Sequence, residues 1–177
     1  DRDDLKDGGA SIWVETIAAI RKQNPQTTME TLIPDFKGKE KDIQEIINAK
    51  PEVVSHNLET VRRLTKKVRI QAKYDRSLDT LRLLFEGGIR TKSGIMLGLG
   101  ETEEEIIEAM KDLRNVGVKI LTLGQYLQPS KKHLPVIEFI TPDQFTYLKE
   151  VGLSLGFEHV ESSPLVRSSY HAEKHIK

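Results

Sequence analysis

The chain has 177 residues, and its 27 Lys and Arg residues balance 27 Asp and Glu residues, so the formal net charge is zero at pH 7. This length suffices for one domain with a hydrophobic core, and the charge balance excludes a general affinity for nucleic acid or for an anionic membrane surface. Cysteine is absent, which excludes disulfides, thiolate metal ligands and a cysteine nucleophile within these residues.

The opening stretch DRDDLKDGG is polar and does not begin with Met. It is more typical of the inside of a loop than of a native start, so we expect a piece cut from a longer protein. No apolar run approaches the roughly 18 residues of a membrane span, and no signal peptide opens the chain. We therefore expect a soluble protein that binds neither membranes nor nucleic acid.

Apolar extended runs alternate with amphipathic helical patterns along the chain. In chain order, the predicted elements are a helix with Trp13, Ile17 and Ile20 on one face, a strand within 27–36, a helix at 40–49, a strand at 52–57, a helix at 74–88, a strand within 91–100, a helix around Ile106, Met110 and Leu113, a strand within 119–127, and a helix around Phe145 and Leu148. This alternation predicts right-handed strand-helix-strand units and a parallel sheet.

Two of the predicted helices begin with a capping box. Thr102 stands three residues before Glu105, and Thr141 stands three residues before Gln144. The second helix also has Pro142 at its first position, where a missing backbone N–H costs nothing. These signals predict where the last two helices start.

Polar residues follow each predicted strand. They are Asp35 after the first strand, His56, Asn57 and Glu59 after the second, Glu101 after the third, and Gln125, Tyr126 and Gln128 after the fourth. The carboxyl ends of parallel strands lie on one side, so these groups are expected at one rim, as in barrel active sites. The stretch GLGETE lacks the last glycine of a dinucleotide fingerprint and the lysine of a P-loop. We therefore predict a partial (β/α) barrel of the TIM type rather than an open doubly wound sheet.

Each candidate site residue has a structural alternative. Asn57 and Glu59 could bracket the hydroxyls of a ribose, or they could only end a strand and cap a helix. Gly98 and Gly100 could let backbone approach a ligand, or they could form a tight turn. The basic stretches at 37–41 and 62–69 are more typical of solvated faces. A zinc site is not expected, since His133 and His171 lack close ligand partners.

The segments as a set resemble a known family. DRDDLKDGGA, LIPDFKG, HNLETV, TKSGIMLGLGET, LTLGQYLQPS, HLPV and SSPLVRSSYHA are similar, in order and separation, to the lipoyl synthase family of radical S-adenosylmethionine enzymes. The resemblance covers nearly the whole chain. It implies that 1–177 is the carboxyl-terminal portion of a radical S-adenosylmethionine barrel, with 157–177 as a terminal segment that carries the RSSY motif.

The resemblance also implies an activity, the insertion of two sulfur atoms at C6 and C8 of an octanoyl chain on a lysine of a partner protein. The family uses S-adenosylmethionine and two 4Fe–4S clusters, one held by CxxxCxxC and an auxiliary one by CxxxxCxxxxxC. Neither motif is in this sequence, so both are expected before Asp1. Since thiolates hold such clusters, we expect this piece to be inactive by itself.

Site roles follow from the same resemblance. Ser169, with Ser168 as the less favoured neighbour, would give an oxygen to an iron of the auxiliary cluster, and Arg167 would offset the cluster's negative charge. Tyr170 and His171 would shape the pocket. The remaining implied contacts to S-adenosylmethionine or to the octanoyl path are Asn57, Glu59, Gly98, Gly100, Gln125, Tyr126 and Leu127, and the loop with Asp1, Arg2, Asp3 and Asp4 would meet the cofactor's amino group.

The implied partners are an octanoylated carrier, either a lipoyl domain or the glycine cleavage H protein, and an electron donor such as flavodoxin or ferredoxin. The implied location is the cytoplasm of a bacterium or the mitochondrial matrix of a eukaryote. Two other functions stay open: a (β/α) barrel lyase or isomerase with Glu59 or His56 as general base, and a noncatalytic binding module.

Overall fold

A sheet of five parallel strands forms the centre of the molecule in a computed structural model, which describes Arg2 and residues 4–176. The strands are β1 (Glu30–Leu32), β2 (Val53–Ser55), β3 (Arg90–Leu97), β4 (Ile120–Gln125) and β5 (His159–Ser162). Each strand pairs in parallel with the strand that follows it in sequence. The strands therefore follow one another across the sheet in sequence order, as in a (β/α) barrel. This arrangement confirms the predicted partial barrel.

Six α-helices are found among the described residues. They are α1 (Ala10–Gln23), α2 (Glu40–Ala49), α3 (Arg62–Val68), α4 (Tyr74–Glu86), α5 (Glu103–Asn115) and α6 (Pro142–Ser154), with short 3₁₀ turns at Phe36–Gly38 and Ala172–Lys174. All the predicted helices and strands are present. The sequence did not predict β5 or α3, and Ile20 stays partly exposed although it shares the predicted face of α1.

The capping boxes fix the starts of α5 and α6. The Thr102 hydroxyl accepts the backbone N–H of Glu105, and the Glu105 carboxylate accepts the backbone N–H of Thr102. Thr141 and Gln144 make the same exchange at the start of α6. Both boxes satisfy amide groups that a helix start otherwise leaves unpaired.

The two faces of the sheet differ in composition. Ile95 and Leu97 of β3 pack with Met110 and Leu113 of α5 in the main hydrophobic core. Since successive strand residues point to opposite faces, Lys92, Gly94 and Met96 face the inner, concave side. A second core packs α1, α2 and α4 against Val54 of β2 and against Ile33, which follows β1. No helix of the described residues is long and apolar enough to cross a membrane.

Candidate functional site

Two adjoining cavities lie at the carboxyl ends of the strands. The first encloses about 250 Å³, and its lining includes Asn57, Glu59, Gly94, Thr122, Gln125 and Arg167. The second encloses about 290 Å³, and its lining includes Asp35, His56, Asn57, Glu59, Arg69 and Arg76. Asn57 and Glu59 belong to both linings. The structure therefore brings most of the strand-end polar residues to one rim.

Asn57 and Glu59 occupy the centre of this rim. Glu59 has a left-handed backbone with φ of 69°. Its N–H donates to Gly94 O at 2.9 Å, and its carbonyl accepts the N–H of Met96 at 2.8 Å. These two bonds to β3 hold a conformation that is strained for a residue with a side chain. Asn57 Oδ1 is buried and has no hydrogen-bond partner among the described residues.

The electrostatics of the rim depend on Glu59. Burial raises the pKa of the Glu59 carboxyl above its ordinary value, and the neighbouring Asn57 amide and Arg69 guanidinium oppose the rise. The carboxylate would gain from a ligand that brings hydroxyl or ammonium donors, because these replace lost hydration. The Asn57 and Glu59 pair can therefore accept hydrogen bonds from a polar ligand.

Gly94 keeps the floor of the first cavity open. A Cβ atom at this position would lie 2.6 Å from Thr122 Oγ1 and 3.1 Å from Asn57 Oδ1. The first separation is shorter than a van der Waals contact, so no larger residue fits without displacing the cavity wall. The absence of a side chain at this position leaves room beside the Asn57 amide.

His56 is a structural residue at the edge of the second cavity. It is buried, with Nδ1 3.0 Å from Ile33 O and Nε2 2.9 Å from Ser77 Oγ. The carbonyl partner requires a proton on Nδ1, so Nε2 accepts from the Ser77 hydroxyl. Burial lowers the pKa of His56 to about 4. Both ring nitrogens are engaged, so the structure does not favour His56 as a general base.

Two arginines that were not predicted as site residues from the sequence border the second cavity. Arg69 Nη1 donates to Asn57 O at 3.1 Å. Arg76 Nε donates to Asp35 Oδ2 at 2.6 Å, and this ion pair is partly buried. Arg69 follows α3 within a stretch that its composition marked as a solvated face. A charge-rich seven-residue helix carries little periodic signal, so only the fold reveals that Arg69 turns towards the rim.

The terminal segment, which we define as 163–176, returns to the site. Val166 is buried, and Arg167 and Ser168 line the first cavity. Ser169 and Tyr170 are exposed and lie outside its lining. The rings of Tyr170 and His171 stack with centroids 4.0 Å apart. The structure therefore brings Ser168 closer to the rim than Ser169, and the metal-ligand role of either serine stays a prediction.

The other predicted cofactor contacts have local structural partners. Gln125 lines the first cavity and clamps the loop after β4, donating to Glu138 O at 3.0 Å and accepting from Ile140 N at 2.9 Å. Leu127 lines the same cavity. Tyr126 is buried and donates to Leu134 O, whereas Gly98 and Gly100 lie outside the linings of both cavities. Their roles towards a cofactor stay predictions.

The amino-terminal loop is described only in part. Arg2 and Asp4 form an exposed ion pair at 2.6 Å. Asp1 and Asp3, which the resemblance also placed near the cofactor, lie outside the described residues. The contact of this loop with a cofactor stays a prediction.

Two features of the first cavity are compatible with a polar cofactor such as S-adenosylmethionine. Asn57 Oδ1 is an unpaired buried acceptor, a group that is expected to find a partner in a complete site. The space that Gly94 leaves beside it would be filled by any side chain. The same residues do not fit an iron–sulfur cluster, because the sequence has no cysteine and no group of three or more metal-binding residues occurs among those described.

Comparison with known families gives one match that covers most of the chain. Residues 6–113 match the Radical SAM superfamily. The chain is 69% identical over 177 residues to lipoyl synthase of Flavobacterium johnsoniae, covering 99% of this chain and 62% of that protein. It is 66% identical to mitochondrial lipoyl synthase of Nematostella vectensis, with 99% and 61% covered. The chain thus spans about three fifths of the length of these curated relatives.

Solved structures with the same fold share little sequence with this chain. A domain of pyruvate-formate lyase-activating enzyme from Bacteroides vulgatus gives a TM-score of 0.67 at 11% identity, covering 85% of this chain and 90% of that one. Methylornithine synthase gives a TM-score of 0.63 at 14% identity, covering 85% and 51%. These likenesses support the fold described above.

Proposed function

The chain belongs to the radical SAM superfamily, and from this premise we propose that the protein containing it is a lipoyl synthase. The proposed reaction inserts two sulfur atoms at C6 and C8 of a protein-bound octanoyl-lysine and gives lipoyl-lysine. The observation that carries the proposal is that identity to lipoyl synthases extends over almost the whole chain, including the terminal segment.

The rim residues would bind S-adenosylmethionine. Asn57 Oδ1 would accept a hydrogen bond from a ribose hydroxyl or from the methionine ammonium, and the Glu59 carboxylate would accept a second. When bound, S-adenosylmethionine supplies the radical chemistry of the superfamily. Leu127 and Met96, which line the same cavity, offer apolar contact to an alkyl chain and help to exclude water.

The terminal segment would complete the site from the other side. Arg167 brings a positive charge to the cavity wall, and Ser168 and Ser169 bring hydroxyl oxygens to the same stretch. Two 4Fe–4S clusters belong to the proposed protein, and their thiolates would come from residues outside this sequence. We keep Ser169 as the proposed oxygen ligand to the auxiliary cluster, with Ser168 as the neighbour that lines the cavity.

The activity is tested with the intact protein, purified without oxygen and reconstituted with iron and sulfide. We expect iron–sulfur absorbance and conversion of an octanoyl-lysine peptide to the lipoyl form, detected by mass spectrometry. Turnover of a different substrate without iron would support a lyase or isomerase instead. Absence of cysteine motifs from the complete gene would contradict the proposal.

The cofactor site is tested by equilibrium binding of S-adenosylmethionine to the reconstituted protein. Asn57→Ala and Glu59→Gln should each weaken binding about 10-fold or more, since a hydrogen bond to a charged group contributes about 1.5–3 kcal/mol. Asn48→Ala is the matched control, because Asn48 is exposed on α2 away from both cavities. Unchanged affinity in both rim variants would contradict this placement.

The proposed carrier is an octanoylated lipoyl domain or the glycine cleavage H protein, and flavodoxin or ferredoxin would supply electrons. Lys66 and Lys67 are exposed on α3 and could attract an acidic carrier. Reversal of both charges with Lys66→Glu and Lys67→Glu should slow association and flatten its salt dependence. The control reverses Lys22 and Lys111, which are exposed on α1 and α5. Equal effects in the two pairs would contradict docking through α3.

A bacterial cytoplasm or a mitochondrial matrix is the proposed location.

A further inference from the structure

A buried charged cluster lies on the inner face of the sheet, apart from the residues proposed to bind the cofactor. Lys92 of β3 is 1% exposed, and its Nζ lies 2.9 Å from Glu30 Oε1 on β1. Ser55 of β2 donates to the same Glu30 oxygen at 2.7 Å. A lysine is almost never fully buried unless it is paired, so the fold must hold this group for a structural or functional reason.

The third partner of Lys92 comes from the terminal segment. His175 is fully buried, and its Nδ1 lies 3.3 Å from Lys92 Nζ. An ammonium has three donors and no acceptor, so Nδ1 of a neutral His175 accepts from it. The His175 ring also lies 5.5 Å from the ring of His159 on β5. His175 thereby contacts residues of β3 and β5 and lies close to Glu30 of β1.

The terminal segment has a second attachment at the tip of β4. Ser163 N donates to Leu123 O, and Gln125 N donates to Pro164 O. The carbonyl of Val166 passes so close to Gly124 that a Cβ atom there would lie 2.5 Å from it. The chain is therefore fixed at Val166 near the rim and again at His175 deeper in the sheet.

The stretch between the two attachments carries the RSSY motif. No side chain from 167 to 174 is buried, whereas Val166 and His175 both are. A stretch with so few buried groups has little local stability, and closing a loop at both ends removes many of its conformations. Loss of the His175 attachment would remove the contact that holds this stretch to the sheet on its carboxyl side.

We propose that Lys92, Glu30 and His175 form a latch that holds the terminal segment against the inner face of the sheet and so positions Arg167 and Ser168 at the first cavity, with Ser169 next to them. The importance of this positioning rests on the proposed function, which places Ser169 beside a metal cluster. His175 is a positioning residue, since it acts through the segment and lies outside the lining of the cavity.

The latch is tested by hydrogen exchange of the intact protein with mass spectrometry. The amides of Tyr170, Ala172 and Lys174 donate hydrogen bonds within the segment and report its order. His175→Leu removes the acceptor at similar size and should raise exchange of peptides covering 167–174 about 10-fold or more, with α4 and α5 unchanged. His175→Asn keeps an acceptor for the Lys92 ammonium and should restore most of the protection.

Three results would overturn the latch. If His175→Leu exchanges at the wild-type rate, His175 does not hold the segment. If His175→Leu and His175→Asn lose protection equally, the hydrogen bond to Lys92 is not what holds the segment. The double variant Lys92→Met with Glu30→Gln removes both charges together and should release the segment as His175→Leu does. Full protection in this folded double variant would also overturn the latch.

The two proposals fail in different ways. Hydrogen exchange requires neither iron nor S-adenosylmethionine, so a protein that shows the latch but forms no lipoyl-lysine contradicts the proposed function alone. A protein that forms lipoyl-lysine while His175→Leu keeps full protection contradicts the latch alone. The control His133→Leu changes an exposed loop histidine and should alter neither readout.

Discussion

Acidification should destabilise the protein through His56, and the magnitude follows from its burial. The ordinary pKa of 6.5 falls to about 4 in the fold because the ring is buried. As pH falls below 6.5, the unfolded chain takes up the proton first. The contribution of neutral His56 to the free energy of unfolding is complete above pH 6.5 and is lost as pH falls towards 4. At about 1.4 kcal/mol for each pKa unit, the loss is about 3 kcal/mol.

The measurement is urea unfolding followed by the fluorescence of Trp13, the single tryptophan of the chain. The free energy of unfolding is compared between wild type and His56→Gln from about pH 7.5 to about pH 4.5. Groups common to both proteins cancel in the difference, including Glu59, whose raised pKa acts in the opposite direction. Wild type should lose about 2.5 kcal/mol relative to the variant over this range, because the titration is not complete at pH 4.5. Parallel pH curves for the two proteins would refute the reasoning, and His133→Gln should follow wild type.

Two glycine substitutions test the close contacts around the first cavity. Gly94→Ala would place a methyl group against Thr122 and should weaken S-adenosylmethionine binding about 10-fold in equilibrium titration while the protein stays folded. Wild-type affinity in this variant would show that the ligand does not use this space. Gly124→Ala would press on the Val166 carbonyl and should lower the free energy of unfolding by about 1–3 kcal/mol in urea titration. Unchanged stability, with unchanged hydrogen exchange of the terminal segment, would show that the segment does not need this close approach.

The long helices and the main strands were predictable because their signals are local. Capping boxes gave the starts of α5 and α6, and the paired glycines after α4 gave its end. The predicted strands are short stretches rich in β-branched or aliphatic residues, and each is followed by Pro, Gly or polar residues. The polar residues after these strands then predicted a common rim, because the carboxyl ends of parallel strands lie on the same side of a sheet.

The missed elements are short and lack such signals. β5 has four residues, of which only Val160 belongs to the hydrophobic core, so its alternation is hard to recognise. In α3, Leu64 and Thr65 are buried within a run of charged residues, and the composition suggested a solvated face. In both elements, contacts with distant parts of the chain decide the conformation, and a single sequence does not display them.

The site was predictable where it follows strand direction and not where it depends on tertiary packing. Asn57 and Glu59 were expected on one face because alternate residues of an extended chain share a face. In the structure the backbone at Glu59 is left-handed instead of extended, and it bonds to β3 at Gly94 and Met96, on both sides of Ile95. The polar rim therefore depends on β3 as much as on the HNLET stretch. A substitution in β3 that breaks these two backbone bonds should disturb Asn57 and Glu59 together, although it touches neither side chain.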